Sequence, residues 1–303
     1  MPSPQAEQLR AYFQGVMSPA LQSQTSLETR RAQLEAIGTR TPLPSDVQVG
    51  EVTIDHLTGD WIRTPESLSD RVVLYLHGGG FVMGSSKAYR FFASALSRLT
   101  QSRVFVLNYR LAPEHPFPAA LEDSLVAYRW LLSAAVQPKH LILIGDSAGG
   151  TLVLGTLIAL RDAGISLPAG AILISPVLDM TLSGASYTTN AELDIMENRD
   201  LMLEVRHMYL GERDPRSPEV SPLYANLSGL PPLLVHVGSD EVLLDDSKQV
   251  VERVHQAGGS AQLHIGDGMW HVWHVTAVRQ EFPEGKLALE QIRDFVQQRI
   301  AGS

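Results

Sequence analysis

The sequence predicts an α/β protein built on a mostly parallel, doubly wound sheet. Two observations carry this. Short apolar runs at 72–76, 104–107, 141–144, 171–174 and 233–237 are each about one strand long and apolar at successive positions. Strands covered on both faces need that composition. Helical stretches at 89–100, 120–134, 148–163 and 243–257 lie between or after these runs, and 284–300 closes the chain. Strand alternating with helix is the pattern of a parallel sheet flanked by helices.

The elements outside this rhythm read as follows. Residues 1–45 carry two helical segments, at 6–17 and 26–37, ended by Thr41-Pro42-Leu43-Pro44. Residues 47–57 alternate apolar and polar (Val47, Val49, Val52, Ile54), as one half-buried strand does. A last strand is expected at 261–265. Between Ser175 and Pro231 there is no strand, only helical material at 193–210 flanked by Asp214-Pro215 and Ser221-Pro222. An excursion of that size usually covers an active site. The expected organisation is a helical cap segment at 1–45, a main α/β domain at 46–303, and a second cap insertion at about 182–221.

Composition narrows the function. The 303 residues are 44% hydrophobic and 19% charged, which excludes disorder, collagen and coiled coil. The net charge is -9 and no Lys/Arg cluster interrupts it, so no nucleic-acid or anionic-membrane partner is expected. Cysteine is absent, which removes disulfides, cysteine nucleophiles and cysteine-held metals together. The polar first fifteen residues lack a signal pattern, so a cytoplasmic location is expected. The apolar stretch 141–160 is broken by Gly145, Asp146, Ser147, Gly149 and Gly150. It reads as strand then helix, not as a membrane span.

That break is also the strongest chemical signal. Gly145-Asp146-Ser147-Ala148-Gly149 matches G-x-S-x-G and sits between a strand and a helix, the setting this motif requires. Ser147 is the candidate nucleophile. The glycines give room for a strained turn, and the helix start points N–H groups at the reacting centre. His77-Gly78-Gly79-Gly80 follows the strand at 72–76. A tetrahedral intermediate needs N–H donors, and Gly78, Gly79 and Ala148 are the expected oxyanion hole. No nucleotide-binding glycine pattern is present.

These motifs, with Tyr109-Arg-Leu-Ala-Pro-Glu114, Phe117-Pro-Ala-Ala120 and Asp123 between them, resemble the hormone-sensitive-lipase-like (bacterial family IV) carboxylesterases of the α/β-hydrolase superfamily. The Gly-Asp-Ser-Ala-Gly spelling matches one of the family's two branches. The resemblance runs from about residue 70 to the C-terminus. It implies an α/β-hydrolase fold with a helical cap, ester hydrolysis through an acyl-enzyme, short- to medium-chain substrates, and homodimers through the sheet edge.

In this fold the chain order is serine, acid, histidine. The acid should follow the strand at 233–237. Asp240 is the candidate, matching the first aspartate of the family's segment, here Asp240-Glu-Val-Leu-Leu-Asp245. Glu241 is its rival, while Asp245 and Asp246 should cap or solvate the next helix. The base should follow the last strand: His271, with His274 as alternative and His264 structural. Metal ligation by His271 and His274 lacks a third ligand of suitable spacing, and no metal or cofactor is expected. Phe81, Tyr12, Phe13, Met17, Ile195 and Met202 are candidates for the substrate pocket. Lactone or amide hydrolysis with the same triad is the alternative activity, and a non-catalytic ligand-binding protein the alternative class.

Overall fold

The computed structural model describes residues 1–21 and 25–301, with backbone alone for residues 16–21 and 301. Eight strands form one sheet: β1 (Gln48–Ile54), β2 (Leu57–Arg63), β3 (Leu68–Leu76), β4 (Ser102–Asn108), β5 (Leu141–Asp146), β6 (Gly170–Ile174), β7 (Leu233–Gly238) and β8 (Ala261–Gly266). Their spatial order is β1-β2-β4-β3-β5-β6-β7-β8. β1–β2 and β2–β4 pair antiparallel, and every other pair is parallel.

The helices are α1 (Pro4–Leu21), α2 (Leu27–Thr39), α3 (Ser86–Thr100), α4 (Ala119–Ser133), α5 (Ala148–Asp162), α6 (Ser186–Thr189), α7 (Arg199–Leu210), α8 (Leu244–Gln256), α9 (Trp273–Ala277) and α10 (Pro283–Ala301). None is long and apolar enough to cross a membrane among the described residues.

Period-two geometry divides the core between the two faces of the sheet. Leu141 and Leu143 of β5 pack with Leu152 and Leu157 of α5. Ile142 and Ile144 turn to the other face, against Phe92 and Leu96 of α3 and Ile292 and Phe295 of α10. α5 is buried along nearly its whole length, which explains why it is apolar all round.

Two expectations are corrected. The single strand at 47–57 is a hairpin: the chain turns at Asp55 (φ 52°), and β2 returns as an interior strand. β2 escaped notice because its buried positions include Gly59 and Asp60. Asp60 is paired with Arg90 of α3 at 2.9 and 3.2 Å, so a charge stands where a core residue would signal a strand. The helix expected over 193–210 begins only at Arg199. The Asp194 side chain accepts the N–H groups of Met196 and Glu197, and Asn198 caps α7 by accepting the Leu201 N–H. Such side chains outcompete helical backbone bonding locally.

All the parallel strands end on one edge. The turns after β3, β5, β6, β7 and β8 therefore bring His77, Ser147, Ser175, Glu241 and His271 to the same rim, where sites form in open α/β sheets.

Candidate active site

Ser147 occupies the turn between β5 and α5 with φ 52° and ψ -121°. That conformation is strained for a residue with a Cβ and persists only where packing enforces it. Here the enforcement is contact: a Cβ at Gly145 would strike the Gly149 carbonyl, and one at Gly149 would strike the Leu76 carbonyl.

The N–H groups left free around Ser147 differ from the expected set at one position. The Gly78 N–H donates to Asp146 Oδ1 at 2.9 Å and is spent. Gly79 and Gly80 both have positive φ, 114° and 62°. Among the described residues no acceptor takes the N–H of Gly79, Gly80 or Ala148. The free set is therefore shifted by one glycine, because the residue before Ser147 uses its carboxylate to anchor the loop. Asp146 is buried and also accepts from Tyr75 Oη at 2.5 Å and Tyr89 Oη at 2.9 Å. The Tyr109 hydroxyl donates to the His77 carbonyl at 2.7 Å, and His77 stacks on Tyr109.

The carboxylate beside His271 also differs from the expected Asp240. Asp240 points away from His271: its Oδ2 meets Arg10 of α1 at 2.5 Å and its Oδ1 accepts from Ser239. The neighbouring Glu241 turns inward, fully buried, and its Oε2 lies 2.9 Å from His271 Nδ1. Its Oε1 accepts from Ser175 Oγ at 2.7 Å and the Gly238 N–H at 2.6 Å. A side chain is impossible at Gly238, where a Cβ would meet the Met269 carbonyl. The sharp turn thus fits the longer glutamate under the histidine loop and leaves the shorter aspartate outside. Asp245 accepts the Ser186 N–H, and buried Asp246 accepts the N–H groups of Leu178 and Asp179, so both are structural.

His271 is buried. Burial alone would depress its pKa. The hydrogen bond and charge of Glu241, with the charges of Glu197 and Asp194, instead raise it to about 9. His274 faces inward to His236, Nε2 to Nδ1 at 2.9 Å, and burial plus the charge of His271 push it down to about 3. It is not placed to serve as the base. His264 bonds Gln291 at the sheet edge.

One further carboxylate was not foreseen. Glu197, from the segment before α7, brings Oε1 to 3.7 Å from His271 Nε2. Burial raises Glu197 to about 7; His271 opposes the rise, and Asp194 and Glu241 add to it.

The pocket candidates separate. Phe13 packs on Trp270 at 5.8 Å, and Ile195 joins the same cluster with Met269 and Trp273. Met202 packs elsewhere, with Leu182, Tyr187, Val242 and Leu243. Phe81 is buried and stacked on Tyr209 at 3.7 Å, a packing role that ties the glycine loop to α7. Tyr12 is about half exposed and lines an outer cavity of about 370 Å³ with Gln5, Gln8, Leu9, Gln280 and Glu281. The Met17 side chain lies outside the described residues. Val205 of α7, missed in the sequence, stands over Gly80: a Cβ there would come within 2.9 Å of it. Ser175 was legible in principle, since it directly follows the apolar run at 171–174. Nothing local marked Glu197.

A family described as alpha/beta hydrolase fold matches residues 73–275. An acetyl-hydrolase of Streptomyces hygroscopicus is 42% identical over 266 residues, covering 88% of this chain and 86% of that protein. The crystal structure of EstE5 soaked with p-nitrophenyl butyrate superposes with TM-score 0.93 at 42% identity, covering 99% of each chain. That of an esterase from the bacterial hormone-sensitive lipase family gives 0.92 at 40% identity, again over 99% of each. The fold and these relatives agree with the motifs: the chain belongs to the α/β-hydrolase family and, within it, to the hormone-sensitive-lipase-like carboxylesterases.

Proposed function

We propose that this carboxylic ester hydrolase works through Ser147, His271 and Glu241, with the N–H groups of Gly79, Gly80 and Ala148 as its oxyanion hole. Ser147 Oγ attacks the ester carbonyl as neutral His271 takes its proton at Nε2. Glu241 fixes the tautomer through Nδ1 and stabilises the imidazolium. The negative oxygen meets the three free donors. His271 then protonates the leaving alcohol, and a water activated by the same nitrogen releases the acid from the acyl-enzyme.

The observation that carries this reading is the buried Glu241–His271 hydrogen bond at 2.9 Å, on the same rim as the strained Ser147. Esters of short- to medium-chain acids are the proposed substrates. Support comes from the acetyl-hydrolase relative and from the use of p-nitrophenyl butyrate with EstE5. Residues 1–45 and about 182–221 form the proposed cap. The unpaired outer edge of β8, with Ile265 exposed, supports a homodimer through that edge. A cytoplasmic enzyme with no nucleic-acid partner completes the proposal, in keeping with a net charge of -9. Cell fractionation and light scattering address location and dimer.

The deciding experiment is turnover of p-nitrophenyl butyrate by Ser147→Ala. The change removes one hydroxyl oxygen and no core volume, so circular dichroism should be unaltered while turnover disappears. Residual esterase activity above a few per cent would point to another nucleophile.

A further inference from the structure

We infer that Glu197 recognises the alcohol half of the ester and favours leaving alcohols that carry a positive charge. The inference rests on the triad proposed above.

A histidine serving a serine nucleophile has two duties at Nε2. It takes the serine proton, then gives it to the leaving oxygen. The leaving alcohol must therefore lie within hydrogen-bonding distance of Nε2, about 2.6–3.2 Å. Glu197 Oε1 stands 3.7 Å from that same nitrogen. A substituent two or three bonds beyond the leaving oxygen falls beside this carboxylate.

The backbone that carries this carboxylate is held in place. Asp194 Oδ1 accepts the Glu197 N–H at 3.0 Å, while Asp194 Oδ2 accepts the Val242 N–H at 2.9 Å. Glu197 is thereby referenced to the turn that carries Glu241. Its side chain is 24% exposed, so a ligand can reach it. Among the described residues its one cationic partner is His271.

That single partner creates the selectivity. To act as a base, His271 must be neutral, and Glu197 then faces the bound ester with no positive charge beside it. A partly buried, unpaired carboxylate is costly. An ammonium group on the alcohol supplies the missing charge, whereas an apolar group of equal shape leaves it uncompensated. The proposed substrate class is therefore short-chain esters of amino or quaternary ammonium alcohols.

The test pairs two esters of matched shape, acetylcholine and 3,3-dimethylbutyl acetate, which differ by N⁺ against C. The ammonium also makes choline the better leaving group, so the readout is the change in the kcat/KM ratio between wild type and Glu197→Gln. The assay is run at about pH 9.5, above the values of both Glu197 and His271. The ratio should fall by about tenfold in Glu197→Gln, as loss of one close charge partner does. An unchanged ratio overturns the inference. Inhibition of the wild type by free choline and by 3,3-dimethylbutanol serves if the variant fails to fold. Choline should inhibit at lower concentration, and equal inhibition overturns the inference. Ser147→Ala, assayed in parallel, should lose both esters. Turnover persisting there would overturn the triad, whatever the ratio does.

Discussion

Asp240 and Glu241 leave the same turn after β7 in opposite directions, one to Arg10 at 2.5 Å and the other to His271 at 2.9 Å. Glu241→Gln should lower kcat by about 10⁴-fold, because the amide no longer enforces the tautomer. Asp240→Asn should cost far less and be felt mainly in how firmly α1 is held. Steady-state kinetics on both variants checks the order, and a crippled Asp240→Asn with an active Glu241→Gln would reverse the assignment. The pH profile follows from the same environment. The base must be neutral, and its pKa is raised from 6.5 to about 9 by Glu241, Glu197 and Asp194 acting against burial. Activity should therefore climb as pH rises, with the acidic limb of kcat/KM centred well above the ordinary histidine value. A limb at or below 6.5 would show that the three carboxylates do not act on His271 as their positions imply. Ser147 and His271 were legible as candidates because each follows a strand at a fixed place in the strand–helix order. The carboxylate that bonds His271 was not: two adjacent carboxylates fit the order equally, and only the Gly238 turn and the depth of burial distinguish them.

At the scale of elements, α2 braces the glycine loop through Arg31, and Glu35 accepts from Ser85 Oγ at its far end. Arg31 Nε donates to the Val82 carbonyl at 2.6 Å and Nη2 to the Ala112 carbonyl at 2.9 Å, while the fork grips Glu114 with both contacts at 2.7 Å. Glu114 is half exposed, so the ion pair itself contributes little. The two carbonyl bonds carry the effect, since charged donors to backbone are worth about 1.5–3 kcal/mol each. Arg31→Ala should lower the melting temperature and reduce kcat on p-nitrophenyl acetate about tenfold by loosening the loop that carries Gly79 and Gly80. Arg31→Lys should recover little, because an ammonium cannot reproduce the fork. Differential scanning fluorimetry and kcat together check this, and a variant with full kcat would mean that the loop holds its shape without α2. The five central parallel strands were legible because both their faces are apolar. β2 was hidden by Gly59 and the ion-paired Asp60, and the start of α7 by side chains at 194 and 198 that bond backbone locally. In each case a polar group is satisfied by a partner distant in sequence or by a turn, which hydropathy does not record.

Over the whole molecule, α1 and the segment before α7 pack together beside the rim that carries Ser147 and His271. Ala6, Leu9 and Phe13 of α1 pack with Ile195 and Met196 of the insertion over Met269, Trp270 and Phe282, beside His271. Arg10 ties α1 to Asp240, the Gly268 carbonyl and the Leu193 carbonyl, and Arg30 of α2 meets Glu204 of α7 at 2.5 Å. A cover of this kind limits pocket depth. Each methylene of an acyl chain gains about 0.8 kcal/mol while it is buried, roughly a fourfold gain in kcat/KM, and nothing once it meets the wall. A p-nitrophenyl ester series should therefore rise from acetate to a maximum at about C4 to C8, the range the family resemblance implies, and fall well before C16. Removing residues 1–40 uncovers Trp270 and Phe282, severs Arg10 from the acid and histidine loops, and leaves Glu204 without Arg30. KM for the butyrate should rise and the chain-length maximum should flatten, because water enters and the wall is gone. Ser147 should still react with a small fluorophosphonate, since its elbow is built from β5, α5 and the end of β3, none of which is deleted. A folded truncation with an unchanged chain-length profile would show that α1 and α2 support the rim without bounding the substrate pocket.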